Sequence, residues 1–108
     1  MTTPFCVMFH ASATVVTQGG VIRGVMQIPG DPVGLPVSAT VDGTSSVGIP
    51  TGAAYFGIAN EGVANAIRFH TGSGSLVLSA GQGAPIFPHQ YLFRKVPSGH
   101  THIALREG

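Results

Sequence analysis

Histidines at positions 10, 70, 89, 100 and 102, Cys6 and four carboxylates are the groups in this 108-residue chain most suited to bind a metal or move a proton. His100 and His102 stand two apart, the spacing at which a strand presents both side chains on one face, and His70 or His89 could add a third ligand. The carboxylates are Asp31, Asp42, Glu61 and Glu107, and none is paired in sequence with these histidines. A metal-bound imidazole is usually held by such an acceptor on its other nitrogen, and His100 falls in an expected turn. No metal site is therefore expected. Gly72-Ser73-Gly74-Ser75 and Gly81-Gln82-Gly83 look like phosphate loops, but no Gly-Lys-Ser/Thr follows and no helix would begin there. A Ser/His/Asp set drawn with Asp31 or Asp42 lacks the strand-to-helix elbow that exposes a nucleophile. Cys6 lies in an apolar run and reads as packing. The chemistry-bearing residues thus point away from an enzyme and away from any cofactor.

The elements that would position these residues are strands. Between Ala84 and Leu105, two runs rich in aromatic, β-branched and aliphatic residues flank Pro97-Ser98-Gly99. Proline presets φ at a turn, and glycine accepts the positive φ that other residues avoid. The pattern predicts a β-hairpin, with Tyr91–Val96 paired to Thr101–Leu105. Period-two alternation would then put Leu92, Val96, Thr101, Ile103 and Leu105 on one face, with Arg94 as a misfit. Tyr91, Phe93, Lys95, His102 and Arg106 would share the other. Those aromatics beside basic groups could stack on a base or a sugar ring. The preferred reading is an ordinary cross-strand cluster with solvated charges.

Composition sets the class. The chain has 16 Gly and 8 Pro and no run of helix formers, so an all-β domain with many turns is expected. Surface scaling at 11.0 kDa leads to burial of about 65% of the unfolded chain's surface, roughly 10,000 Å². Only 8% of residues are charged, against roughly 25% in an average soluble domain. With a mean hydropathy of +0.35, that suggests a surface partly covered by other subunits. A formal net charge of +1 provides no electrostatic footprint for nucleic acid. Met1–Ile22 carries polar residues and glycines that a spanning helix would not, and Met1-Thr2-Thr3-Pro4 lacks the basic start of a secretory leader. One cysteine makes no internal disulfide.

Turn signals then divide the chain. Phe5–Phe9, Ala11–Thr17 and Val21–Ile28 read as strand candidates before a connector, residues 29–36, that holds three prolines. The expected boundary places residues 1–35 in an extended N-terminal arm or a set of accessory strands with a proline-rich connector, and residues 36–108 in a compact β-sandwich or jelly-roll-like unit; the alternative is that the connector is a long loop inside one sandwich. Further strands are expected at Val37–Val41, Ser45–Ile49, Ala53–Ala59, Val63–His70 and Leu76–Ala80. Signals about every ten residues suit a small sandwich or barrel.

The order Gly43-Thr44-Ser45-Ser46, Ile49-Pro50-Thr51-Gly52-Ala53, Phe56-Gly57-Ile58-Ala59-Asn60 and Ala66-Ile67-Arg68-Phe69, closing on Val96-Pro97-Ser98-Gly99-His100-Thr101-His102-Ile103-Ala104, resembles small β-rich virion proteins of tailed bacteriophages. The resemblance spans about Val41–Leu105 and implies a capsid decoration (cement) or minor capsid protein, on the head surface or near the head–tail region. Implied partners are the major capsid protein or neighbouring virion subunits, with homo-oligomers, trimers foremost; no membrane or nucleic acid is implied. On this reading Phe5, Phe9, Val25, Ile28 and Leu35 of the arm and Tyr91, Phe93 and Arg106 of the hairpin lie at interfaces. The alternative is a carbohydrate- or receptor-binding module on a fibre or tail, with Tyr91 or Phe93 presented outward.

Overall fold

A computed structural model describes residues 2–18, 24–74 and 77–108 of the chain. The side chains of residues 15–18 and 24–26 lie outside the described set. The described residues form ten strands and no helix: β1 (Thr3–His10), β2 (Ala13–Gln18), β3 (Gly24–Pro29), β4 (Val37–Val41), β5 (Thr44–Gly48), β6 (Tyr55–Asn60), β7 (Ile67–Gly72), β8 (Ala84–Ile86), β9 (Tyr91–Lys95) and β10 (His102–Glu107). Two four-stranded sheets, ordered β4-β1-β6-β9 and β5-β10-β7-β8, make a sandwich of jelly-roll type, and β2 and β3 form a separate ribbon. All the strand pairs are antiparallel.

Alternation in each strand selects what faces inward. Phe5, Val7 and Phe9 of β1, with Phe56 and Ile58 of β6 and Val41 of β4, line the first sheet's inner side. Val47, Ile67, Phe69, Ile86, Ile103 and Leu105 oppose them from the second sheet. Phe56 and Phe69 meet across the layers edge to face, with centroids 6.0 Å apart. Four described polar residues are buried: Thr3, His10, Asn60 and Thr71. Asn60, 1% exposed, donates from Nδ2 to the carbonyls of Asn65 and Ile86, and its Oδ1 accepts from Gly62 N. Its amide thereby satisfies backbone groups that burial would otherwise orphan.

Several expectations are corrected here. Phe5 and Phe9 are 1% and 3% exposed; a side chain sealed between the sheets cannot meet another subunit. Their strand, β1, is central in the first sheet, between β4 and β6, so residues 1–35 are not a free arm as a whole but supply strands to the fold. Among the described strands only the β2–β3 ribbon leaves the sandwich. It continues the β1–β4 pairing outward: Val33 N bonds Phe9 O, Ala11 N bonds Asp31 O, and Gly30 N bonds Ser12 O, each at 2.8 Å. The radius of gyration, 14.4 Å, exceeds the roughly 13 Å of a compact domain this size, and the extents are 45 × 31 × 23 Å.

Tyr91–Val96 and Thr101–Leu105 are not a hairpin. Strand β9 pairs with β6, while β10 sits between β5 and β7 in the other sheet. The turn itself forms: His100 N bonds Pro97 O at 3.1 Å, and Gly99 has φ of 82°. It carries the chain from one sheet to the other, as the β4–β5, β5–β6, β6–β7 and β8–β9 connections also do. Leu92, Val96, Ile103 and Leu105 do face the core, from opposite layers. Residues 63–66 precede β7 without joining it, and residues 77–80 form no strand. The described part of the β7–β8 connection instead lies over the second sheet's outer side with Leu78 buried. Arg68 donates to Gly83 O at 2.9 Å and Arg106 to Leu78 O at 3.1 Å, holding it down. Strand β8, not expected, is three residues centred on Pro85, which only a sheet edge accommodates.

Candidate interaction surface

The outer side of the first sheet follows from the same alternation. With Phe5, Val7 and Phe9 inward, β1 sends Cys6, Met8 and His10 outward. Cross-strand register arranges them in rows: Ser38, Cys6, Ala59 and Tyr91; then Met8, Gly57 and Phe93; then His10, Tyr55 and Lys95. Strand β6 contributes only Gly57 and Ala59 to the first two rows, so the middle of the face is a shallow trough.

Tyr91 fills that trough. A Cβ built on Gly57 would lie 2.0 Å from the Tyr91 hydroxyl oxygen and 2.6 Å from Cζ. The phenol therefore occupies space that any other residue at position 57 would need. Phe93 stacks on Tyr55 with centroids 5.5 Å apart and planes 3° from parallel. It also meets His10 edge to face at 5.7 Å and 62°. Both are favoured aromatic arrangements, stabilising by about 0.5–1.5 kcal/mol beyond area burial. His10 Nδ1 is 3.1 Å from Gly30 O; a carbonyl only accepts, so Nδ1 carries the proton. At 6% exposure, His10 joins the aromatic row to the root of the ribbon.

Lys95 carries the only permanent charge in these rows. Burial pushes the Tyr91 phenol above its ordinary value, and negative charge on Cys6, across Ala59, adds to the rise. At neutral pH Tyr91 is an uncharged donor. A phenol, a thiol, a thioether and aromatic rings with no carboxylate among them offer contact area and few hydrogen bonds, with no acid–base pair. Such a surface suits adhesion, since interface cores favour aromatic residues and Met and lack most charge.

The predicted site residues scatter over the molecule. Tyr91, 54% exposed, and the half-buried Phe93 lie on this face. Ile28 at the root of the ribbon and Leu35 in the connector are 45% and 86% exposed. Val25 pairs with Thr17 in the ribbon, and its side chain lies outside the described residues. Arg106 is on the opposite side of the sandwich, clamping the β7–β8 connection, so it shares no surface with Tyr91 and Phe93. Sequence reasoning missed Cys6, Met8, His10, Tyr55 and Gly57. Alternation within Phe5–Phe9 held the signal for the β1 members, since an inward Phe5 obliges Cys6 to face outward.

The histidines do not converge. His100 Nδ1 lies 2.7 Å from Thr71 Oγ1, and His102 Nδ1 lies 2.8 Å from Thr101 Oγ1. Among the described residues no three His, Cys, Asp or Glu side chains are grouped so as to hold a metal ion. No helix there is long and apolar enough to cross a membrane. Comparison with known protein families, with curated proteins and with solved structures finds no match to the chain.

Proposed function

We propose that the chain is a non-enzymatic structural protein of a phage particle, a decoration or minor capsid protein that adheres to neighbouring virion subunits through the outer face of its first sheet. The observation that carries the adhesive role is the set of three rows in which Tyr91, Phe93, Tyr55, His10, Met8 and Cys6 surround Gly57 and Ala59 with Lys95 as the single permanent charge. The phage setting is supported by the resemblance of the Val96–Ala104 motif. On a lattice, many modest contacts of this kind combine through avidity.

The test is co-sedimentation of the purified protein with empty heads of the cognate phage, comparing wild type with Tyr91→Ala. Wild type should pellet with the heads, and Tyr91→Ala, which removes a half-exposed ring, should remain largely in the supernatant while folded. Wild type that ignores heads, or a variant that pellets equally, would overturn the proposal.

A second reading is favoured by the exposure of Tyr91, 54%, which a sugar-stacking platform would need. Against it, the residues nearest the ring are Gly57, Ala59 and Cys6, which lack the carboxamides and carboxylates that usually read sugar hydroxyls. Glycan-array binding that is lost in Tyr91→Ala would favour this module over the adhesive one.

A further inference from the structure

We infer that the free edge of β4 pairs with β4 of a second copy of this chain, in antiparallel register about a two-fold axis at Ala39. The inference is independent of the aromatic face and of any phage context. It starts from the four open edges of the sandwich. Strands β9 and β8, joined by residues 87–90, lie along one lateral side. That side carries protections known from natural sheets: the exposed Arg94 and Lys95 on β9, and Pro85 in the centre of a three-residue β8. Strands β4 and β5, joined through Asp42-Gly43, lie along the other side. Neither has a charge, a proline or a bulge: β4 reads Val-Ser-Ala-Thr-Val and β5 reads Thr-Ser-Ser-Val-Gly.

A bare edge presents a row of unpaired N–H and C=O groups, and a sequence that leaves one side bare while blocking the other marks a pairing site. Ser38, Ala39 and Thr40 are all exposed. Strand β4 is bonded to β1 on its inner side, and no described strand pairs with its outer side.

The occupant follows from the sequence of β4. Laid antiparallel on itself about Ala39, it places Val37 opposite Val41, Ser38 opposite Thr40, and Ala39 opposite Ala39. Apolar residues then meet apolar ones on the inward side, and hydroxyls meet on the outward side, both favourable cross-strand pairs. Strand β5 folded on itself would set Thr44 against Gly48 and Ser45 against Val47, which matches neither size nor polarity. A two-fold axis makes the contact isologous and closed, as in most homodimers. It also differs from the trimer that the sequence suggested, since three-fold symmetry cannot pair β4 with its own copy. The product is an eight-stranded sheet whose outer face runs unbroken from one aromatic patch to the other. Five residues of edge bury less than the roughly 800 Å² per partner of a standard interface, so monomer and dimer should exchange with concentration.

The experiment is sedimentation equilibrium over a concentration series on the full chain, with circular dichroism to verify folding. Wild type should pass from monomer to dimer as concentration rises. Ala39→Lys, which sets two ammonium groups against each other at the axis, should shift the midpoint at least tenfold upward with unchanged β-structure. In a Cys6→Ser background, Ala39→Cys should oxidise to a disulfide-linked dimer, and Ser38→Cys alone should not. A monomer at every concentration, a trimer, a dimer unaffected by Ala39→Lys, or equal cross-linking at positions 38 and 39 would each overturn the inference.

Discussion

Gly57→Ala separates the shape of the outer face from the stability of the sandwich. The new Cβ would come within 2.0 Å of the Tyr91 hydroxyl, well inside contact distance, so one of the two must move. Strand β6 is fixed on both sides by β1 and β9, whereas Tyr91 belongs to an edge strand and is 54% exposed. The ring will therefore swing out into solvent. An aromatic side chain buries about 150–250 Å² when enclosed, so the buried half of Tyr91 corresponds to roughly 100 Å². At about 25 cal/mol per Å² that is at most about 2.5 kcal/mol, and a displaced ring retains part of it. Replacing glycine inside a strand returns about 0.5–1 kcal/mol of backbone entropy. The net change should be a loss of about 1 kcal/mol, a few degrees in Tm.

Two readouts follow from that variant. In thermal unfolding it should behave nearly as wild type. In a Tyr55→Phe background, where one phenol titrates, alkaline spectroscopic titration should show Tyr91 returning toward the ordinary tyrosine value, because the burial that raises it is gone. The sign of the linkage is fixed by that rise. A raised folded-state pKa stabilises the protein fully below the unfolded value of 10.0 and loses that contribution as pH climbs through the folded value. Wild type should thus lose stability above about pH 10 more steeply than Gly57→Ala. An unchanged Tyr91 titration, or a cost as large as that of a core truncation, would refute the placement of the ring over Gly57.

Other perturbations address the core. Phe9→Ala should destabilise by about 3–5 kcal/mol in urea unfolding, the cost of truncating a buried phenylalanine; a change below about 1 kcal/mol with weakened association would restore Phe9 to an interface. Asn60→Leu keeps the branched side-chain skeleton but withdraws the bonds to Ile86 O and Gly62 N. At about 1–3 kcal/mol for each orphaned buried group, unfolding measurements should show a loss of about 2–6 kcal/mol.

What was legible in the sequence was parity, and what was not was partnership. Period two put Leu92, Val96, Ile103 and Leu105 on one face, which the structure turns to the core, and Tyr91 and Phe93 on the other; Thr101, placed with the first set, is exposed. Nothing local distinguishes a turn that folds a strand onto its neighbour from one that carries it across to the opposite sheet. Pro97-Ser98-Gly99 serves either, so the choice rests on which distant strand, β6 for β9 or β7 for β10, offers the better apolar match. The same limit explains Arg94. It looked like a misfit on a core face, but it lies opposite Phe56 at the outer end of an edge strand, where solvent reaches it. Of the two readings of residues 1–35, the free arm gave way to the accessory strands for a related reason. Prolines at 29, 32 and 36 marked a break in β3–β4, but Phe5–Phe9 completes its sheet by pairing with Tyr55–Asn60, some fifty residues on.

The positions of the few charges supply a further argument. Glu107 accepts from Thr3 Oγ1 and Gly43 N, tying the end of β10 to the start of β1 and to the β4–β5 corner. Arg68 and Arg106, directly opposite each other on β7 and β10, clamp the connection that covers the second sheet. Like charges in that position repel, and here each guanidinium is drawn to a backbone carbonyl. Arg94 and Lys95 guard the β9 edge. Asp31, Asp42 and Glu61 sit in connections. Every described charge thus lies at a joint, a clamp or the blocked side of the sandwich. Apart from Lys95, that leaves the aromatic face and the β4 edge free of permanent charge. A chain with 8% charged residues that places them this way is depleted of charge where desolvation would cost most, the pattern expected of surfaces destined for burial.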